Sequence, residues 1–126
     1  KRSLAVDDEE AVASLLQRIL ERLGCRVITA LSGEEALAHL DAEEFDVIVS
    51  DLKMPGMSGQ ELYIHLKENR PEVAERFIFV TGDVITPGTS DFIQASGRPS
   101  LSKPFTSGEI AVVLQEMLEG EKNHGG

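Results

Sequence analysis

Apolar residues in this chain come in short unbroken bursts separated by helix-like stretches, and that rhythm restricts the fold more than any other feature. The bursts are Leu4–Val6, Val27–Ala30, Val47–Val49, Phe77–Val80 and a weaker one at Leu101. Most do not alternate apolar with polar residues. A continuous apolar run of strand length is what a parallel strand needs when helices cover both faces of its sheet. The second burst, with Arg26 and Thr29 mixed in, reads as an edge strand.

The intervening stretches carry helical periodicity. Val12, Leu16, Ile19, Leu20 and Leu23 recur at spacings of three and four, and Gly24 stops that helix. Ser32 is placed to cap a second helix holding Ala36, Leu37 and Leu40. Ser58 is placed to cap a third, with Leu62, Tyr63 and Leu66, that ends before Pro71. The Gly/Ser-rich stretch Pro87–Gly97 gives a short fourth helix. Thr106 opens the last, with Ile110, Val113, Leu114 and Leu118 on its core face. The pattern is β-α five times over. Right-handed crossovers turn it into an α/β fold, a doubly wound five-stranded parallel sheet of the flavodoxin-like type, with helices on both faces and strand order 2-1-3-4-5. Residues 1–119 make one domain, and 120–126 a polar tail expected to fray. A chain of 126 residues buries enough surface to need no disulfide or structural metal.

Charge narrows the function. Twelve basic and 22 acidic residues leave a net charge of −10, which repels phosphate backbones and anionic membranes. Direct nucleic-acid binding is therefore not expected. Nor is membrane insertion, since no apolar run approaches the roughly 18–20 residues of a spanning helix and no signal-peptide pattern opens the chain. The lone Cys25 has no partner for an internal disulfide, which suits a reducing compartment; the expected location is cytoplasmic. His39, His65 and His124 have no metal-site spacing and read as surface residues.

In the 2-1-3-4-5 order the ligand crevice lies at the carboxyl ends of strands 1 and 3. Strand 1 runs into Asp7 and Asp8, strand 3 into Asp51, strand 4 into Thr81 and strand 5 into Lys103; strand 2 ends without a charge. Each of these residues alone reads as an ordinary loop or turn residue. Together they bring three carboxylates, a hydroxyl and an ammonium to one edge of the sheet. Three crowded carboxylates repel one another. Mg²⁺ relieves that conflict, because it takes oxygen ligands and bridges to phosphate. A carboxylate with a free oxygen can then attack phosphorus and form an aspartyl phosphate. Lys103 and the Thr81 hydroxyl supply positive charge and a donor for the phosphoryl oxygens, and Gly82 leaves room for a phosphate to approach.

With these residues assembled, the chain resembles the receiver domains of two-component and phosphorelay signalling. The resemblance is carried by VDDEE at 6–10, SDLKMPGMSG at 50–59, VTGD at 80–83 and SKPF at 102–105, and it extends over residues 1–119. It implies that Asp51 accepts the phosphoryl group, with Thr81 as switch hydroxyl and Lys103 as phosphate-binding lysine. It implies that Asp8, Asp51 and the Lys53 backbone carbonyl ligate Mg²⁺, with Asp7 acting mainly through water, and that Lys103–Pro104 is a cis peptide. The implied partner is a histidine kinase or histidine phosphotransfer domain. Val12 and Leu15, beside the acidic pair, are its candidate contacts on the first helix. The stretch ASGRPSLSKPF is also similar to receiver modules at the carboxyl end of hybrid histidine kinases, and the tight ends of the domain suit a module of a longer protein. One position departs from the family. Three residues before the lysine, where an aromatic often acts as a rotamer switch, this chain has Ser100. A signal is then expected to pass without an aromatic flip, with motion greatest over residues 83–97. Lys53 and Asp83 are a candidate charge pair across the mouth of the site.

Three functions are open at this point. The first is a phosphoryl-accepting switch that is not a turnover enzyme. The second is a degenerate receiver used as a docking module, against which the full set Asp7, Asp8, Asp51, Thr81 and Lys103 argues. The third is a haloacid-dehalogenase-type aspartyl-phosphate phosphatase. It would require an Asp two residues after the nucleophile, where this chain has Lys53. Flavin binding is excluded by the acidic pair after strand 1.

Overall fold

The computed structural model describes residues 1–82 and 86–124, with side chains as far as Leu118. Five strands, β1 (Arg2–Val6), β2 (Arg26–Ala30), β3 (Val47–Asp51), β4 (Phe77–Thr81) and β5 (Ser100–Ser102), form one parallel sheet in the order β2-β1-β3-β4-β5. The expected topology is thus observed, and β2 is an edge as its mixed composition indicates. Around the sheet lie α1 (Glu10–Arg22), α2 (Gly33–Ala42), α3 (Gly59–Asn69), the single turn α4 (Pro71–Ala74), α5 (Pro87–Ser96) and α6 (Ser107–His124).

The apolar bursts are unbroken because successive residues serve two cores. Leu4, Val6, Ile48, Phe77 and Phe79 pack against α2, α3, α4 and α5. Ala5, Val47, Val49, Ile78 and Val80 pack against α1 and α6. Each fully buried side chain of this size contributes about 1.5–3 kcal/mol. Tyr63 of α3 joins the first core, its ring 5.6 Å from Phe77, 5.3 Å from Phe79 and 5.9 Å from Phe92 in edge-on contacts.

Helix ends follow the sequence signals closely. Ser32 Oγ accepts from the Glu35 amide, and Ser58 forms a reciprocal capping box with Glu61. Thr106 Oγ1 accepts from the Glu109 amide at the start of α6. At the end of α1 the Gly24 amide bonds the Glu21 carbonyl and the Cys25 amide the Leu20 carbonyl, with Gly24 at φ +93°.

The structure departs from expectation in four places. Leu23 ends α1 as its cap and is 39% exposed, off the core stripe. Pro71 stops α3 but also opens α4, where a first-turn proline loses no hydrogen bond. The last helix continues to His124, through the point where a polar tail was expected. His39 is half-buried rather than on the open surface.

Gly59 is where backbone packing is closest. A Cβ there would collide with the Asp51 carbonyl oxygen and come within 3.0 Å of Ser50 Oγ, whereas one on Gly88 would meet nothing within 4 Å. Gly59→Ala is expected to destabilise the fold by about 3 kcal/mol, and Gly88→Ala to stay within about 1 kcal/mol of the parent. Denaturant midpoints of the two variants check this.

Candidate functional site

Each sequence-predicted residue with a chemical role sits at the carboxyl end of the sheet. Burial of β1 on both faces carries Asp7 inward until it is fully buried, while Asp8 turns to solvent. Asp51, the last residue of the central strand β3, is 7% exposed, and Thr81 at the end of β4 is 3% exposed. One carboxylate oxygen from each of Asp7, Asp8 and Asp51 lies within 4.8 Å of the others.

Lys103 follows β5 and is anchored by its own amide, which donates to the Thr81 carbonyl at 2.9 Å. Its Nζ stands 3.1 Å from Asp7 Oδ2 and 3.4 Å from Asp51 Oδ2. The Lys103–Pro104 peptide is cis, as the resemblance implies. Asp7 Oδ1 accepts from the Glu9 amide at 2.8 Å, but Oδ2 receives no well-aligned hydrogen bond; the lysine ammonium is what faces it. Three carboxylates against one ammonium leave two uncompensated negative charges. The donors are all hard oxygens, and the buried one, Asp7 Oδ2, has only the shared ammonium facing it. The residues present therefore fit a divalent cation such as Mg²⁺.

Electrostatics follow from the crowding. Burial, and then the negative charge of Asp7, raise the Asp51 carboxyl above the ordinary aspartate value, although Lys103 and the Lys53 amide oppose this. Burial alone would lower Lys103. Asp7 and Asp51 together outweigh it and hold the ammonium above the ordinary lysine value.

The Thr81 hydroxyl donates to the Leu101 carbonyl at 3.4 Å. A cleft of about 230 Å³ opens over the site, lined by Asp51, Lys53, Thr81 and Lys103, and also by Glu9 and Thr89. Neither of these last two stands out in the sequence. Glu9 directly follows the acidic pair but reads as a helix start, and Thr89 lies in the weakly patterned α5. Lys53 is exposed at the mouth, and its candidate partner Asp83 lies outside the described residues. Ser100 is an exposed strand residue paired with Phe79. On α1, Val12 is half-buried and Leu15 is 43% exposed, beside the core stripe as expected.

Residues 4–115 match the sequence profile of the response regulator receiver domain. The chain belongs to that family. It is a receiver domain of two-component signalling. It is 46% identical over 126 residues to the alkaline phosphatase synthesis transcriptional regulatory protein PhoP of Bacillus subtilis, covering 94% of this chain and 48% of that protein. It is 36% identical over 118 residues to the sensor kinase CckA of Brucella abortus, covering 92% of this chain and 12% of the kinase. The chain thus spans half or less of the length of these relatives. Among solved structures, a CheY-like receiver domain protein from Methanospirillum hungatei superposes with TM-score 0.86 at 32% identity, covering 98% of each chain. The regulator TrrA of Thermotoga maritima, solved in complex with Mg²⁺-BeF, gives 0.81 at 28% identity, covering 93% of this receiver and 98% of TrrA. Among the described residues no helix is long and apolar enough to cross a membrane.

The raised carboxyl of Asp51 has a signed consequence. Folded Asp51 holds its proton to higher pH than an unfolded aspartate. Stability therefore falls as pH rises from the ordinary carboxylate value through the raised one. The Lys103 contribution runs in the same direction at higher pH: it is complete below the ordinary lysine value and is lost as pH rises through the higher folded one. In metal-free buffer at pH 7, Asp51→Asn is expected to melt about 3–6 °C above the parent, the scale of about 1 kcal/mol. Calorimetry at falling pH should show the gap closing as pH drops through the raised folded value, with no further change below the ordinary aspartate value.

Proposed function

We propose that Asp51 accepts a phosphoryl group from a phosphohistidine and that the modified domain then changes which partner it binds. The observation that carries this is the Lys103 ammonium held between Asp7 and Asp51 beneath an open cleft. An Asp51 carboxylate oxygen attacks phosphorus, the phosphorus–nitrogen bond to the donor imidazole breaks, and the released imidazole takes a proton from solvent. The product is an acyl phosphate on Asp51. Lys103 offsets charge on the phosphoryl oxygens, and the Thr81 hydroxyl exchanges the Leu101 carbonyl for one of them.

Asp8, Asp51 and the Lys53 carbonyl would hold Mg²⁺, with Asp7 acting mainly through water. When bound, the ion supplies further positive charge to the transferring group. That TrrA was solved with Mg²⁺-BeF supports the assignment. The product stays on the protein, so the domain is a self-modifying switch rather than a turnover enzyme; attack by water on phosphorus returns the free carboxylate. The domain makes no direct contact with nucleic acid in this reading. A free, buried Cys25 fits a reducing compartment, and the cytoplasm is the location proposed.

With acetyl phosphate and Mg²⁺, intact-mass measurement should find one added phosphoryl group. Asp51→Asn or removal of divalent metal should abolish it, and labelling that survives either change rules the mechanism out.

The docking site proposed for the histidine kinase or phosphotransfer domain is α1, at Val12 and the exposed Leu15. Leu15→Asp should slow transfer from a cognate donor protein about tenfold or more, as loss of a central apolar contact does. Labelling by acetyl phosphate should be unaffected, and equal transfer rates for variant and parent would remove α1 from the interface.

A further inference from the structure

We infer that Thr89 contacts the phosphoryl group on Asp51 and so ties the first turn of α5 to the modified site, an inference that rests on the phosphoryl-accepting reading above. Thr89 lines the same cleft as Asp51, Thr81 and Lys103, but it comes from a helix rather than a strand end. Its hydroxyl is oriented by a second threonine. Thr86 Oγ1 accepts from the Thr89 amide at 3.2 Å and donates to Thr89 Oγ1 at 3.0 Å. The two hydroxyls can share that bond in either direction, and a phosphoryl oxygen entering the cleft offers the Thr89 hydroxyl an acceptor.

The first turn of α5 adds no negative charge of its own to the cleft. In a chain of net charge −10, α1, α2, α3 and α6 each carry glutamate in the first turn, whereas α5 carries none. Thr86 Oγ1 already takes the Thr89 amide, and no carboxylate in that turn repels an incoming anion. An aspartyl phosphate brings three acceptor oxygens and additional negative charge into the cleft.

The far end of α5 is fixed. Tyr63 donates its hydroxyl to the Ser96 carbonyl at 3.3 Å, and Arg98 Nε donates to the Phe77 carbonyl at 3.1 Å. Phe92 packs on Tyr63 and Phe79. A new bond at Thr89 thus acts on the opposite end of the helix from these anchors. This route from phosphate to surface needs no aromatic in β5, where Ser100 stands.

The test uses the 126-residue chain, its Thr89→Val variant, which keeps the shape and loses the hydroxyl, and its Thr89→Ser variant, which keeps the hydroxyl. Beryllofluoride with Mg²⁺ serves as a stable phosphoryl mimic. Amide exchange at residues 88–91 should slow about tenfold or more on adding the mimic to the parent and to Thr89→Ser, and not in Thr89→Val, the scale of one charge-assisted hydrogen bond. The half-life of the acetyl-phosphate product should shift about threefold or more in Thr89→Val and return to the parent value in Thr89→Ser. This second readout decides the matter if the valine loosens α5 without the mimic. Equal exchange and equal half-life in Thr89→Val and parent overturn the inference alone. A parent chain that takes no phosphoryl group overturns the reading beneath it as well.

Discussion

Asp7 is sealed from solvent, and only one of its two carboxylate oxygens accepts a hydrogen bond from the chain. Burying an ionised carboxylate costs several kcal/mol unless a counter-charge and hydrogen bonds offset it. Here the offset comes from a residue 96 positions later, Lys103, and from the amide of Glu9. Much of the topology serves that pairing. β1 must be central to bury Asp7. β3 must lie beside it to bring Asp51, and β5, with three residues in its ladder, must be held against β4 to deliver the lysine. The weakest strand of the sheet contributes little apolar burial, and its position matters for charge.

The fold was legible because its constraints are local and repeated. Strand residues serving two cores leave no polar gaps, and the handedness of crossovers fixes their order. The strand-end residues were legible for the same reason: once the order is known, Asp7, Asp8, Asp51, Thr81 and Lys103 fall on one edge. Residues supplied by helices were not. No residue of α5 is buried, so its pattern is faint, and nothing in the sequence says that its first turn overhangs the cleft. Leu23 matched a spacing of three and four, yet the helix ended one residue earlier, and a cap side chain does not inherit the core face. In the sequence Pro71 signals only a stop, because a single turn leaves no periodicity to see.

Ser100 shows how a missing residue can be compensated from elsewhere in the chain. The ring volume beside β4 comes from Tyr63 on α3 and Phe92 on α5, and both touch Phe79. Phe79 is also the β4 residue paired with Ser100, two positions before Thr81. The aromatic packing therefore belongs to the helices, and the edge strand is released from supplying it.

The loop after Asp51 is tied down at both ends. Gly33 of α2 fits so closely under Met57 that a Cβ would meet the Met57 carbonyl oxygen at 2.6 Å. Glu34 accepts from the Met57 amide at 3.4 Å, Gly56 takes the left-handed turn at φ +71°, and Ser58 begins α3 with its capping box. A loop fixed in this way loses little conformational entropy when a ligand arrives. The oxygen donors near Asp51 are preorganised, and α2, which supplies no donor of its own, acts as the brace. Drift in the α2–loop contact would therefore register first as weaker cation affinity, with the fold and the carboxylates themselves intact.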